Sequence, residues 1–340
     1  MVPAIFGCSG LSLTADERDF FRDADPAGYI LFGRNCDNRD QLRRLTDELR
    51  ALHGRDRLLV SIDQEGGRVA RLRPPNWSPY PAAEAFAALY DLAPASAMEA
   101  ARVNARAMGQ ELSAMGITVD YHPPLDLRQP GAHDVIGDRA FGSDPMQIAA
   151  LGRVILEGLA EGGVTGCIKH MPGHGRSMVD THKEMPTVSE SAEELATDIA
   201  PFKALSNALI GMTGHLLFPV WDADNPATLS ETVIRDVIRG EIGFDGLLLT
   251  DDIDMEALTD TIPQRSAKAH AAGCDIVLNC WAKMDDMVGI CEALPAMGDA
   301  TKARLDRALK DTIVSDALAE DHAELLAKRD ALLDLLGEPA

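Results

Sequence analysis

Short apolar runs alternate with longer amphipathic segments along almost the whole chain. Ala4–Gly7, Tyr29–Phe32, Leu58–Ile62 and Ile117–Tyr121 read as strands, because each is a brief apolar run closed by polar or turn-forming residues. Gly166–Ile168, Leu209–Met212, Leu247–Thr250 and Asp275–Asn279 continue the series to eight. Helical spacing fills the intervals at 40–52, 95–115, 145–161, 190–207, 230–240 and 265–272. Strand–helix alternation demands a parallel sheet covered by helices, and eight such units fit a single-domain α/β fold, a (β/α)8 TIM-type barrel. No G-x-G-x-x-G follows an early strand, which weakens a dinucleotide-binding sheet. The expected organisation is a catalytic barrel over residues 1–299 and a charged, C-terminal helical extension over 300–340 packed outside it.

Charge narrows the partners. Thirty-two Lys and Arg stand against 54 Asp and Glu, a net charge of -22. Nucleic acid and anionic membranes both need clustered cations, so neither is expected as a partner. The N-terminus carries no basic segment followed by a long apolar one, so no secretory signal is expected. The longest apolar stretch, near Leu205–Val220, is interrupted by Asn207, Gly211, Gly214, His215 and Pro219 and is not expected to span a bilayer. Six cysteines lie scattered with no C-x-x-C pair, as reduced core thiols do. A cytoplasmic protein is the expectation, as a monomer or weak homo-oligomer.

A barrel places its chemistry at the C-terminal ends of its strands. Those ends read Asp63-Gln-Glu-Gly-Gly-Arg-Val-Ala-Arg71 after the third strand and His122-Pro-Pro-Leu-Asp126 after the fourth, with Gly137-Asp-Arg139 in the following loop. The fifth delivers Lys169 and His170, the sixth His215, the seventh Asp251 and Asp252. Each has a plain structural reading. Asp63 and Arg71 make a loop ion pair, His215 a satisfied core histidine, Asp251-Asp252 a helix cap or turn, and Asp180-x-His182 an Asx-type turn. Five strand ends all supplying polar groups is the pattern of an active site. Strand alternation sends Asp251 and Asp252 to opposite faces, so only one is expected to serve as a nucleophile; periodicity does not choose between them.

Lys169-His-x-Pro-Gly-His-Gly175 with Asp180-x-His182, the Asp63–Arg71 run, Ile136-Gly-Asp-Arg-x-Phe141 and Thr250-Asp-Asp-Ile-Asp-Met255 resemble the family 3 glycoside hydrolases. The similarity runs from about Gly28 to Asn279 and is greatest to the single-domain bacterial β-N-acetylglucosaminidases (β-hexosaminidases) of peptidoglycan recycling. It implies a retaining hydrolase of terminal, non-reducing β-linked N-acetylglucosamine, with muropeptides as substrates and neither metal nor other cofactor. By the same resemblance Asp251 is the nucleophile, His182 the general acid/base and Asp180 the residue that orients it. Asp63, Arg71, Arg139, Lys169 and His170 then hold the sugar hydroxyls. Thr181 departs from the serine usual there, between the Asp and His that carry the chemistry.

Retaining glycosidases usually pair two carboxyl groups about 5–5.5 Å apart. Here the second partner is a histidine, whose ordinary pKa of about 6.5 suits a group that gives a proton in one step and takes one in the next. An aspartate beside it fixes the tautomer and supports the imidazolium. The dyad sits on a glycine-containing loop and is expected to move in when substrate binds. The open alternatives are a β-glucosidase or phosphorylase of the same family, a metal-dependent barrel hydrolase, a Schiff-base aldolase using Lys169, and a sugar-binding protein on a degenerate barrel. The absence of H-x-H and H-E-x-x-H spacing, and a lysine beside the candidate ligands, count against the metal site.

Overall fold

The structure is a computed structural model that describes residues 1–129, 131, 134, 136–177 and 185–337. Eight parallel strands close into a barrel: β1 (Val2–Gly7), β2 (Pro26–Leu31), β3 (Leu59–Ile62), β4 (Val119–Asp120), β5 (Thr165–Met171), β6 (Ile210–Thr213), β7 (Leu247–Asp252) and β8 (Ile276–Asn279). Each overlaps one of the eight apolar runs. Neighbours in the barrel are neighbours in sequence, and β8 closes on β1 through Ala4 against Val277, Ile5 against Leu278 and Phe6 against Asn279.

Burial explains why these runs are strands. Inward residues Ile5, Ile30, Leu59, Val119, Cys167 and Leu247 form one apolar column inside the barrel. The outward residues Phe6, Leu31, Val60, Ile168 and Leu248 belong to a second, larger core beneath the helices. Strands buried on both sides lose the apolar–polar alternation of a half-exposed sheet and read as continuous apolar stretches.

The covering helices follow the amphipathic segments within a few residues, as with Arg39–His53, Pro94–Ala114 and Pro145–Glu161. Three further helices, Ala15–Ala24, Ala83–Leu92 and Met284–Ala293, are absent from the sequence reading. The tail is two helices with different tasks. Helix Asp299–Leu309 lies across the N-terminal end of the barrel, and its Leu305, Ala308 and Leu309 join the interior column. Arg304 holds Asp245 and Asp275, just ahead of β7 and β8, and Thr165 at the start of β5 donates to the carbonyl of Ala308. This half of the tail is therefore the barrel floor. Helix His322–Leu333 packs along Pro94–Ala114, where Arg329 donates to Asn104 Oδ1 and Gln110 reaches Asp321.

All six cysteines are unpaired, and burial pushes their thiols up from the usual range. Among the described residues, no helix is long and apolar enough to cross a membrane.

Candidate active site

At the C-terminal mouth of the barrel lies a cavity of about 300 Å³ lined by Asp63, Arg71, Arg139, Lys169, His170 and Asp251, with Asp252, Tyr121 and His174 beside them. Six of the eight residues selected from sequence thus meet in one place. The other two, Asp180 and His182, lie outside the described residues. A wider groove of about 600 Å³ adjoins the cavity at Ile136 and is bordered by Glu84, Asp91 and Arg128.

The segment after β3 is folded by its own glutamine. The chain reverses at Gly66 and Gly67, both at positive φ, and a Cβ on Gly66 would meet the Pro81 carbonyl oxygen at 2.2 Å. Gln64 Oε1 accepts from the N–H groups of Arg71 and Leu72 at 2.9 and 3.0 Å, while its Nε2 donates to the Leu72 carbonyl. This staple returns Arg71 to Asp63, eight residues earlier, at 3.1 Å. The ion pair of the plain structural reading is present, and both residues, expected to hold the sugar, also line the cavity.

Lys169 is 2% exposed, and its ammonium sits 3.0 Å from Asp63 and 2.6 Å from Glu65. Glu65 also receives Arg139 through two bonds of 2.8 Å, a bidentate pairing. Burial works against ammonium at Lys169, but Glu65 and Asp63 outweigh it and its pKa lies above the usual range. Burial likewise opposes both anions. Lys169 and Arg71 bring Asp63 below the usual carboxylate range, and Arg139 and Lys169 bring Glu65 well below it. A Schiff base requires the neutral amine, so this environment disfavours the aldolase alternative.

His170 is set by Asp126. Its Nδ1 lies 2.7 Å from Asp126 Oδ2, and Asp126 Oδ1 accepts from the N–H groups of His174 at 2.7 Å and His170 at 3.3 Å. Asp126 therefore fastens the loop after β4 to the loop after β5. Gly175 completes the close approach, since a Cβ there would lie 1.9 Å from the Leu127 carbonyl oxygen. His215 follows its plain reading: it is fully buried, with Nδ1 2.8 Å from Thr228 Oγ1 and Nε2 2.9 Å from the Asp252 carbonyl oxygen.

The expectation that Asp251 and Asp252 face opposite ways is corrected. The β7–β8 pairing slips between Ile276 and Leu278, which face Leu249 and Asp252, so one strand spends an extra residue. Such an irregularity breaks the two-residue period. Both residues line the cavity, with different electrostatics. Burial opposes the Asp251 anion, but His170, His215, the Asp252 N–H at 2.8 Å and Lys169 hold it below the usual range. Asp252 is pushed up to about 8, by burial first and by neighbouring Asp254 next.

Sequence reading gave no site role to Glu65 or Asp126, and it set aside His174 and Asp252, which line the cavity. Among the described residues, no group of three or more His, Cys, Asp or Glu is arranged to hold a metal ion.

Residues 8–314 match the glycosyl hydrolase family 3 N-terminal domain. A β-hexosaminidase of Aromatoleum aromaticum is 35% identical over 346 residues, covering 99% of this chain and 96% of its own. NagZ from Neisseria gonorrhoeae, solved with N-trifluoroacetyl-D-glucosamine, superposes with a TM-score of 0.88 at 31% identity, covering 99% of this chain and 98% of its own. The same protein solved with a zinc ion gives 0.87 at 31%, over 98% of each chain.

Proposed function

This chain belongs to glycosyl hydrolase family 3, and from that premise we propose that it is a retaining β-N-acetylhexosaminidase. Its substrate is terminal, non-reducing β-linked N-acetylglucosamine, released in the cytoplasm from muropeptides ending in anhydro-N-acetylmuramic acid during cell-wall recycling. One observation carries the proposal: Asp251 is a carboxylate kept ionised at the mouth of a polar, sugar-sized cavity whose other wall is cationic. The relatives' names supply the sugar.

In this reading Asp251 attacks the anomeric carbon while His182, oriented by Asp180, gives its proton to the departing oxygen. A covalent glycosyl-aspartate results. His182 then takes a proton from water, which attacks the same carbon and releases Asp251, so configuration is retained through two inversions. Asp63, Arg71, Arg139, Lys169 and His170 hold the sugar hydroxyls. The shared ion pairs fix these groups before substrate arrives, which lowers the cost of orienting them. Lys169 and Asp63 present a donor and an acceptor side by side, the combination that a sugar diol requires.

The test is a screen of aryl β-glycosides. N-acetylglucosaminide should be cleaved in preference to glucoside, with retained configuration in the first-formed product. Asp251→Ala should abolish turnover while leaving the fold intact by circular dichroism, and near-parental activity in that variant would reject the mechanism. His182→Ala should lower the rate by about 10²–10⁴, the range of general acid–base catalysis, with a smaller loss for an activated leaving group.

A further inference from the structure

Asp252 stands beside the nucleophile without being needed for the double displacement. Its surroundings give it a separate task. Oδ1 accepts from the Asp254 N–H at 3.1 Å, and the Asp252 and Asp254 carboxyls lie within hydrogen-bond reach of one another. Asp254 is tightly fixed. Its Oδ2 accepts from Asn279 Nδ2 at 2.8 Å, the Cys280 N–H at 3.0 Å and the Trp281 N–H at 3.3 Å, tying the loop after β7 to the loop after β8. Its Oδ1 is buried and receives no donor among the described residues.

A buried carboxylate oxygen without a donor, in a pair of adjoining carboxyls, is costly unless the pair holds a proton. The metal alternative finds no support, because the described residues around it do not form a ligand set. We propose that Asp252 is a neutral positioning acid: it donates its proton to Asp254 and presents its other oxygen to the cavity as a hydrogen-bond acceptor for the bound sugar.

Two consequences follow from one proton. A neutral Asp252 leaves Asp251 as the single negative charge beside the anomeric carbon, so the nucleophile is not pushed towards protonation by its neighbour. The Asp252–Asp254 bond also locks an acceptor against the nucleophile, so sugar and nucleophile share one frame. Other charged and titratable groups face Asp252 from the neighbouring elements. Asp251 and Asp254 on its own segment both favour the proton. From β6, His215 contacts only the backbone carbonyl, and burial keeps its ring neutral more readily than usual. From the loop after β8, the Cys280 thiol is near enough to hydrogen-bond the carboxyl and is itself pushed up by burial. Arg265, on helix Ile262–Ala272, gives Nη1 to the carbonyls of Ile253 and Met255 and Nε to those of Thr259 and Asp260, and its charge acts on Asp254 more than on Asp252, favouring Asp254 as the anion of the pair. The identity of the sugar rests on the hexosaminidase reading; the shared proton does not.

Asparagine reproduces a protonated aspartate, with its amide N–H towards Asp254 and its carbonyl towards the cavity, so it separates this role from that of an anion. With a 2,4-dinitrophenyl β-N-acetylglucosaminide, whose leaving group needs no proton from His182, kcat/KM of the parent should fall above about pH 8. Asp252→Asn should lack that alkaline limb and stay within about fivefold of the parent at pH 6, while Asp252→Ala loses at least about tenfold, the worth of one buried hydrogen bond. Asp252→Asn as impaired as Asp252→Ala, or an unchanged alkaline limb, would overturn the proposal.

A second measurement needs no turnover. Between pH 5 and 8 a folded Asp252 keeps a proton that the unfolded chain has released, so the parent loses stability relative to Asp252→Asn as pH rises through this window. Melting curves should converge or cross accordingly; a constant difference in Tm across the window would overturn the shared proton. Failure of the parent to cleave any N-acetylglucosaminide would instead reject the hexosaminidase reading and leave the melting test standing.

Discussion

Glu65 holds the cationic wall of the cavity together. Among the described residues it touches both Lys169 and Arg139, and Asp63 holds Lys169 as well. Glu65→Gln keeps the shape and removes the charge that Lys169 and Arg139 share. The expected cost is about 3–5 kcal/mol, as for other broken buried pairs, measured by urea denaturation at pH 7. Because Glu65 and Asp63 are depressed in the fold, their contribution is present above the unfolded pKa of about 4 and is lost as pH falls through the lower folded values. The difference between parent and Glu65→Gln should therefore shrink from pH 5 towards pH 2. A smaller effect is expected at Asp126. Asp126→Asn should leave the fold intact and lower kcat/KM about 10–100-fold, since His170 loses the partner that orients its ring. Lys169 and His170 were legible because the strand itself delivers them. Glu65 and Asp126 were not, because what defines them is a partner 74 residues away in one case and 44 in the other.

At the scale of elements, the strands were the most readable part, since burial on both faces writes each as an unbroken apolar run. Helix Ala15–Ala24 carried a usable signal that spacing alone misses. Thr14 and Glu17 form a capping box, with Thr14 Oγ1 accepting from the Glu17 N–H at 3.1 Å and Glu17 returning a bond to the Thr14 N–H at 2.8 Å. The bulge that turns Asp252 into the cavity leaves no mark in composition, so alternation gave the wrong face. The floor helix misled for another reason. Its charged surface is what an outer helix shows, and only Leu305, Ala308 and Leu309 reveal that its other side closes the barrel. Leu305→Ala should cost about 2–5 kcal/mol, the range for a leucine in a packed core, and should lower the denaturation midpoint with an unchanged slope.

For the molecule as a whole, a net charge of -22 surrounds a site whose own walls are rich in cations. The long-range field repels anions even though the cavity attracts them at short range. If the substrate is a muropeptide carrying carboxylates, adding salt from about 20 to 200 mM should lower its KM, because screening weakens the outer repulsion. The KM of an uncharged aryl glycoside should barely change, and equal responses would point to a neutral natural substrate.

Barrel closure also dictates an order of events during synthesis. Residues 2–7 are made some 270 residues before their second partner at 276–279, and the plug at 305–309 comes later still. Throughout that interval β1 offers an unsatisfied edge, and the inner column has no stopper. Parallel strands exposed in this way invite pairing with other chains. A ribosome stalled before residue 276 therefore carries a nascent chain with an open strand edge, an aggregation hazard that the finished enzyme does not share.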